Sequence, residues 1–128
     1  MRFFDCTMRD GGNVVGCGFD AALTRMMIEG LLDNGITEIE FGNAKGIGAY
    51  ENSHAIAPLN DEQYLDLARP YFSRGTLGMF LNAKRYTEAS VDLAAEKGLA
   101  FLRVGANAGE GAALSLKPIK YIKKKGLK

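Results

Sequence analysis

The sequence predicts an α/β fold of four strand–helix units laid on one parallel sheet. Three observations carry that expectation. Short extended apolar segments alternate with helix-patterned segments along all 128 residues, with no break in composition, so 1–128 reads as a single domain. The strand-like segments are short, roughly five residues each, as strands buried in a parallel sheet are. Glycine and polar residues gather after their carboxyl ends, which is where both parallel folds place their ligands. A doubly wound sheet and part of a (β/α)8 barrel both satisfy this pattern, and periodicity alone does not choose between them.

Taken in order, Arg2–Thr7 reads as a strand ended by Arg9-Asp10-Gly11-Gly12. Asp20 can cap a helix whose apolar positions Leu23, Met27, Ile28, Leu31 and Leu32 fall on one face, and Asn34-Gly35 suits its left-handed end. Thr37–Gly42 is the second strand, followed by a loop rich in Gly, Ala and Asn through Pro58. Asn60 or Asp61 starts a second helix with Tyr64, Leu65, Leu67, Ala68 and Phe72 inward, closing near Gly75. Thr76–Leu81 is the third strand, Thr87–Lys97 a helix closed by Gly98, and Leu99–Val104 the fourth strand. Ser115 can cap a fourth helix that keeps Pro118 in its first turn and ends at Gly126.

Composition bounds the partners. Apolar residues make up 47% and charged residues 24%, with a net charge of +1, which gives no general case for nucleic acid or a membrane surface. The charge is uneven: residues 117–128 hold six lysines and no acid, which leaves ten Lys and Arg against fifteen Asp and Glu before them. Lysines there suit the carboxyl end of a helix; an interaction patch is the other reading. Cys6 and Cys17 do not make a disulfide framework, and with His54 the only histidine a structural zinc site is nearly excluded. No signal peptide or apolar run of membrane-spanning length is visible, so the expected location is the cytoplasm. Two glycine stretches echo each other, Gly42-x3-Gly46-x-Gly48 and Gly105-x3-Gly109-x-Gly111, each after a strand. Ancient doubling and chance both account for them.

The sharpest chemical feature is Asp5-Cys6-Thr7-Met8-Arg9-Asp10-Gly11-Gly12. Strand alternation would send Asp5 and Thr7 to the face opposite Cys6 and Met8. Two acids and an arginine at a strand mouth can hold a divalent cation through carboxylate oxygen and stabilise an enolate oxygen through a guanidinium fork. The same residues also read as an Asp/Arg pair that only fixes a turn.

Asp5-x-Thr7-x-Arg9-Asp10-Gly11 resembles the first-strand signature of the DRE-TIM metallolyases, a superfamily that includes isopropylmalate and homocitrate synthases, HMG-CoA lyase and 4-hydroxy-2-oxovalerate aldolase. Gly35-Ile36-Thr37-Glu38-Ile39-Glu40-Phe41-Gly42 resembles the family's second strand. Lys45–Tyr50 with Asn60–Ala68, and Gly98–Val104, look most like the aldolase branch. The likeness covers essentially the whole chain, although only the first motif is highly specific. It implies the amino-terminal (βα)4 half of a (β/α)8 barrel, residues 1–128 ending before a fifth strand. It implies a carbon–carbon lyase, aldolase or carboxyltransferase acting on a pyruvate-like 2-oxo acid through a metal-bound enolate, with manganese or magnesium as the cation. Carried over by position, Arg9 would polarise the keto acid and Asp10 would be a metal ligand. Glu40 would be a supporting acid at the barrel mouth, or a buried acid paired with Arg9 or Lys45. Arg103 would face the substrate, or pair inside the barrel with Glu40 or Asp5.

Two departures accompany the resemblance. The aldolase branch carries a catalytic histidine three residues after the metal aspartate, and here that position is Asn13, whose amide cannot shuttle a proton. His54 falls in the loop before the second helix, where an exposed histidine is expected. The family completes its metal site with a His-x-His pair on the seventh strand, beyond Lys128. The isolated chain is therefore expected to be inactive, with its first and fourth strands as bare edges that self-associate or pair with a second half-barrel. The alternatives are a nucleotide-binding α/β module, which Asp10 in the first turn disfavours by repelling phosphate, and a non-catalytic half-barrel that works as an assembly partner.

Overall fold

The computed structural model describes residues 1–128 and contains one four-stranded parallel sheet in the order β1-β2-β3-β4. The strands are β1 (Phe4–Asp5), β2 (Glu38–Glu40), β3 (Thr76–Asn82) and β4 (Phe101–Gly105). Sequential order decides between the two candidate architectures. A doubly wound sheet reverses direction at a switch point, and this sheet adds every strand on the same side. It is also curled. Four strands in a flat sheet would hold β1 and β4 about 14 Å apart, yet the Phe4 and Phe101 rings meet with centroids 5.8 Å apart. The chain is a half-barrel-like (βα)4 fold.

Alternation along the strands divides the two faces. Ile39, Leu77, Met79, Leu81 and Leu102 are buried beneath the helices. Glu38, Glu40, Thr76, Phe80, Phe101 and Arg103 occupy the intervening positions on the inner face. The helical layer comprises α1 (Thr7–Asp10), α2 (Ala21–Asp33), α3 (Ala49–Asn52), α4 (Asp61–Ala68), α5 (Glu88–Glu96) and α6 (Gly111–Lys124). Ile28 and Leu32 of α2, Tyr64, Leu65 and Ala68 of α4, Val91 and Ala94 of α5 and Ile122 of α6 join those strand residues in one core. Burying side chains of this size contributes roughly 1.5–3 kcal/mol each before entropy is subtracted. Caps follow the sequence: Asp20 accepts from Leu23 N, Asn60 and Gln63 form a reciprocal capping box, and Thr87 accepts from Ser90 N. Gly35 takes the left-handed conformation expected at the end of α2, with φ 79°.

Four local expectations are corrected. The first strand is two residues long, because the Asp5 carboxylate accepts from Thr7 N (3.0 Å) and Thr7 Oγ1 (3.0 Å) and turns the chain into α1. Strand alternation therefore does not govern residues 7–10. The loop before Pro58 contains the short helix α3. The last helix starts at Gly111, a turn before Ser115, and takes Pro118 into its buried interior. The fourth strand is not a bare edge along its length: Lys128 N donates to Ala100 O (3.2 Å) and Leu102 N to Lys128 O (3.1 Å), a parallel rung. Only β2 flanks β1. The two glycine stretches also differ in conformation: Gly42, Gly46 and Gly48 all have positive φ, whereas in the second only Gly109 does. No helix is long and apolar enough to cross a membrane.

Candidate active site

At the carboxyl side of the sheet, three elements bring charged groups onto one buried carboxylate. Glu40 ends β2 with its side chain fully buried. Arg9, on α1, donates Nε to Glu40 Oε2 at 2.8 Å. Arg103, in β4, donates Nε to Oε1 at 2.7 Å and Nη2 to Oε2 at 2.8 Å. The Arg103–Glu40 contact is a bidentate fork, stronger and more directional than a neutral hydrogen bond. These bonds hold the Arg103 guanidinium above its ordinary titration range. Such a carboxylate, taken out of water, is tolerable because every lone-pair direction that matters has a charged donor.

Phe80 of β3 forms the floor. The Arg9 and Arg103 guanidinium carbons lie 4.6 Å and 4.9 Å from its ring centroid, within cation–π range. Space for that ring is made by Gly105, where a Cβ would come within 2.3 Å of it. In the same way Gly78 makes room for Phe101, whose ring a Cβ there would meet at 2.4 Å. Both guanidiniums retain further N–H groups beyond those on Glu40. Arg9 Nη1 lies 3.0 Å from Asp10 Oδ1, and the Asp10 side chain is 66% exposed.

Arg9, Asp10, Glu40 and Arg103, four of the residues singled out from the sequence, thus fall in one contiguous cluster. Asp5 does not join it, since its carboxylate is occupied by Thr7. Lys45 does not pair with Glu40; its ammonium donates to Asn13 Oδ1 at 2.6 Å, while Asn13 Nδ2 donates to Asp10 O at 2.9 Å. His54 is exposed, with φ 51°, on the loop that follows α3. Phe80 went unnoticed in the sequence, although its alternation with Thr76 and Gly78 places it on the inner face. As a cation centre the donor set is partial. Asp10 offers one exposed carboxylate, and no group of three His, Cys, Asp or Glu side chains that could hold an ion forms within the chain.

Comparison with known proteins bears on the chain as a whole. An aldolase of Carboxydothermus hydrogenoformans, "4-hydroxy-2-oxovalerate aldolase", is 28% identical over 127 residues, covering 99% of this chain and 38% of that protein. The resemblance to the aldolase branch holds. Aldolases of the same name from Serratia proteamaculans (27% over 122 residues, 95% of this chain and 36% of the relative) and Desulfitobacterium hafniense (25% over 104 residues, 81% and 31%) agree with it. The chain spans about a third of the length of these aldolases. No protein-family model matches the chain.

Proposed function

We propose that residues 1–128 supply the oxyanion-binding side of an aldolase-type lyase that makes or breaks a carbon–carbon bond next to the keto group of a pyruvate-like 2-oxo acid. The observation that carries this reading is the convergence of Arg9 and Arg103 on Glu40 at the carboxyl side of the sheet. The guanidinium N–H groups not spent on Glu40 bind the carboxylate and keto oxygens of the acid. Their orientation is fixed before substrate arrives, so negative charge growing on the keto oxygen meets donors already in place. Glu40 is a positioning residue in this scheme: it is fully buried and both its oxygens are engaged by guanidiniums, which orients Arg9 and Arg103 rather than presenting Glu40 to the substrate.

Asp10 is the residue that would hold a divalent cation, manganese or magnesium, together with donors from outside these residues. When bound, the cation supplies Lewis-acid polarisation of the 2-oxo group. Proton transfer also needs a group from elsewhere, since Asn13 is an amide and His54 lies exposed on a separate loop. Pairing with further strands, from a second half-barrel that carries such groups, would meet both needs, and the free side of β1 is an available edge.

Isothermal titration with pyruvate in the presence of manganese tests the reading, on the chain alone and mixed with a polypeptide supplying the rest of a related aldolase. The mixture is expected to bind both, with Arg9→Gln weakening pyruvate by about tenfold or more and Asp10→Asn weakening manganese. Unchanged pyruvate binding by Arg9→Gln overturns the assignment of the cluster. Equally tight binding of metal and pyruvate by the lone chain overturns the idea of a shared site.

A further inference from the structure

Lys45 and Arg85 stand out at the rim of this cluster because neither has an acid within ion-pair distance. Their neighbour Lys84 does, pairing with Glu110 at 2.6 Å. The Lys45 ammonium makes one side-chain hydrogen bond, to the neutral amide of Asn13, which leaves two of its three N–H groups for another acceptor. Its backbone is held unusually firmly for a loop residue. Lys45 N donates to Asn43 Oδ1 (2.9 Å), the buried Asn43 donates to Ala55 O (2.7 Å), and Arg85 Nη1 reaches Lys45 O (3.3 Å). Two residues on, Ile47 N donates to Phe80 O at 2.8 Å, so the loop is tied to the residue beneath both arginines. The far end of the side chain is tied as well, because Asn13 is anchored on Asp10. A lysine that served only to solvate the surface would not need both ends fixed. Ordering a lysine side chain costs on the order of 1.5–2 kcal/mol of rotamer entropy.

Charge at the rim points the same way. Arg9 and Arg103 are balanced by Glu40 and Asp10, so Lys45 adds an unbalanced positive charge beside a site already set up for one carboxylate. We propose that Lys45, presented by Asn13, contacts the substrate and binds a second carboxylate, on the half of the molecule that does not carry the 2-oxo group. The substrate class is then a 2-oxo dicarboxylic acid, or its 4-hydroxy adduct, rather than a simple monocarboxylate. This rests on the reading of Arg9 and Arg103 as the 2-oxo acid site.

NMR titration of the labelled chain, mixed with the polypeptide that supplies the rest of a related aldolase, with pyruvate and with 2-oxoglutarate separates the two ideas, because it reads weak binding and reports on the arginine side chains. Wild type is expected to bind 2-oxoglutarate more tightly than pyruvate, with both acids shifting the Arg9 and Arg103 Nε–H signals. Lys45→Gln is expected to weaken 2-oxoglutarate about tenfold, the weight of one charge-assisted hydrogen bond, and to leave pyruvate unchanged. Lys45→Arg should recover part of the difference, and Asn13→Ala should lose part of it. A preference between the two acids that Lys45→Gln leaves intact, or an equal loss for both, overturns the role of Lys45 alone. If neither acid shifts the arginine signals of the wild type, the proposed function falls and this proposal falls with it.

Discussion

Glu40 and Asp61 are both buried carboxylates, and they are handled in opposite ways. Glu40 receives three hydrogen bonds from two guanidiniums. Asp61, in the first turn of α4, is 2% exposed and accepts one bond, from Gly48 N at 2.6 Å. Its Oδ1 has no partner. Burial raises the Asp61 carboxyl from 3.8 to about 7, against the lowering effect of the Gly48 bond, and Glu51 alongside adds to the rise. A buried acid with charged donors orients its partners. A buried acid with one backbone donor becomes a group that titrates near neutrality. The contrast separates the positioning role proposed for Glu40 from a carboxyl that burial chiefly governs, in the wall of the β2–α4 loop.

Removing Glu40 gives the largest expected effect. Glu40→Gln leaves two guanidiniums facing a neutral amide, and breaking a buried pair from one side usually costs 3–5 kcal/mol. Arg103 is 41% exposed and can rehydrate, so a loss of about 3 kcal/mol is expected, read as a lower urea midpoint. A variant as stable as wild type would mean that Glu40 does not organise the cluster.

Asp61→Asn should act in the opposite sense and depend on pH. The folded Asp61 carboxyl titrates near 7 and the unfolded one near 3.8, so between those values the unfolded chain releases a proton that the folded chain keeps. Stability from this residue therefore falls as pH rises from about 4 to about 7, and the loss is complete above that. Asparagine does not ionise and its oxygen can still accept from Gly48 N. The variant should gain a few kcal/mol relative to wild type between pH 5 and pH 8. Urea midpoints at the two pH values measure this, and parallel pH profiles for the two proteins would place Asp61 in a wetter environment than the structure gives it.

The two residues also differ in how far the sequence reveals them. Glu40 is legible because it interrupts an apolar strand, and a charge inside a parallel strand needs a partner on the same face. Arg9 and Arg103 were visible as candidates through the first-strand motif and the resemblance to the aldolase branch, and the four strand–helix units follow from apolar periodicity, which the core preserves. Asp61 was hidden behind Asn60: two adjacent residues could each cap the same helix, and which of them turned inward depended on where Gly48 lay. The early end of the first strand was equally out of reach, since Asp5 and Thr7 fit a strand by pattern until the side-chain hydrogen bonds between them are known. The start of α6 failed for a related reason. Ser115 and Pro118 look like the opening of a helix, but the helix begins a turn earlier at Gly111, in a stretch whose residues 112–114 are exposed and carry no apolar signal from packing. Phe80 needed the register of β3 against β4 before its place beneath both arginines could be seen.

The smallest expected effect separates the two causes that act on Asp61. Glu51 contributes like-charge repulsion, but burial is the larger cause. Glu51→Gln removes the repulsion and leaves the burial, because Asp61 is enclosed by its own helix, Gly48 and the start of α5 rather than by the exposed Glu51. The Asp61 midpoint should therefore move down from about 7 and yet stay well above the ordinary carboxyl value of 3.8. Following the Asp61 carboxyl carbon by NMR through a pH titration measures the shift in wild type and variant. A return to an ordinary value would make Glu51 the dominant influence. The difference from Glu40 would then be one of neighbouring charge, not of the hydrogen bonds each acid receives.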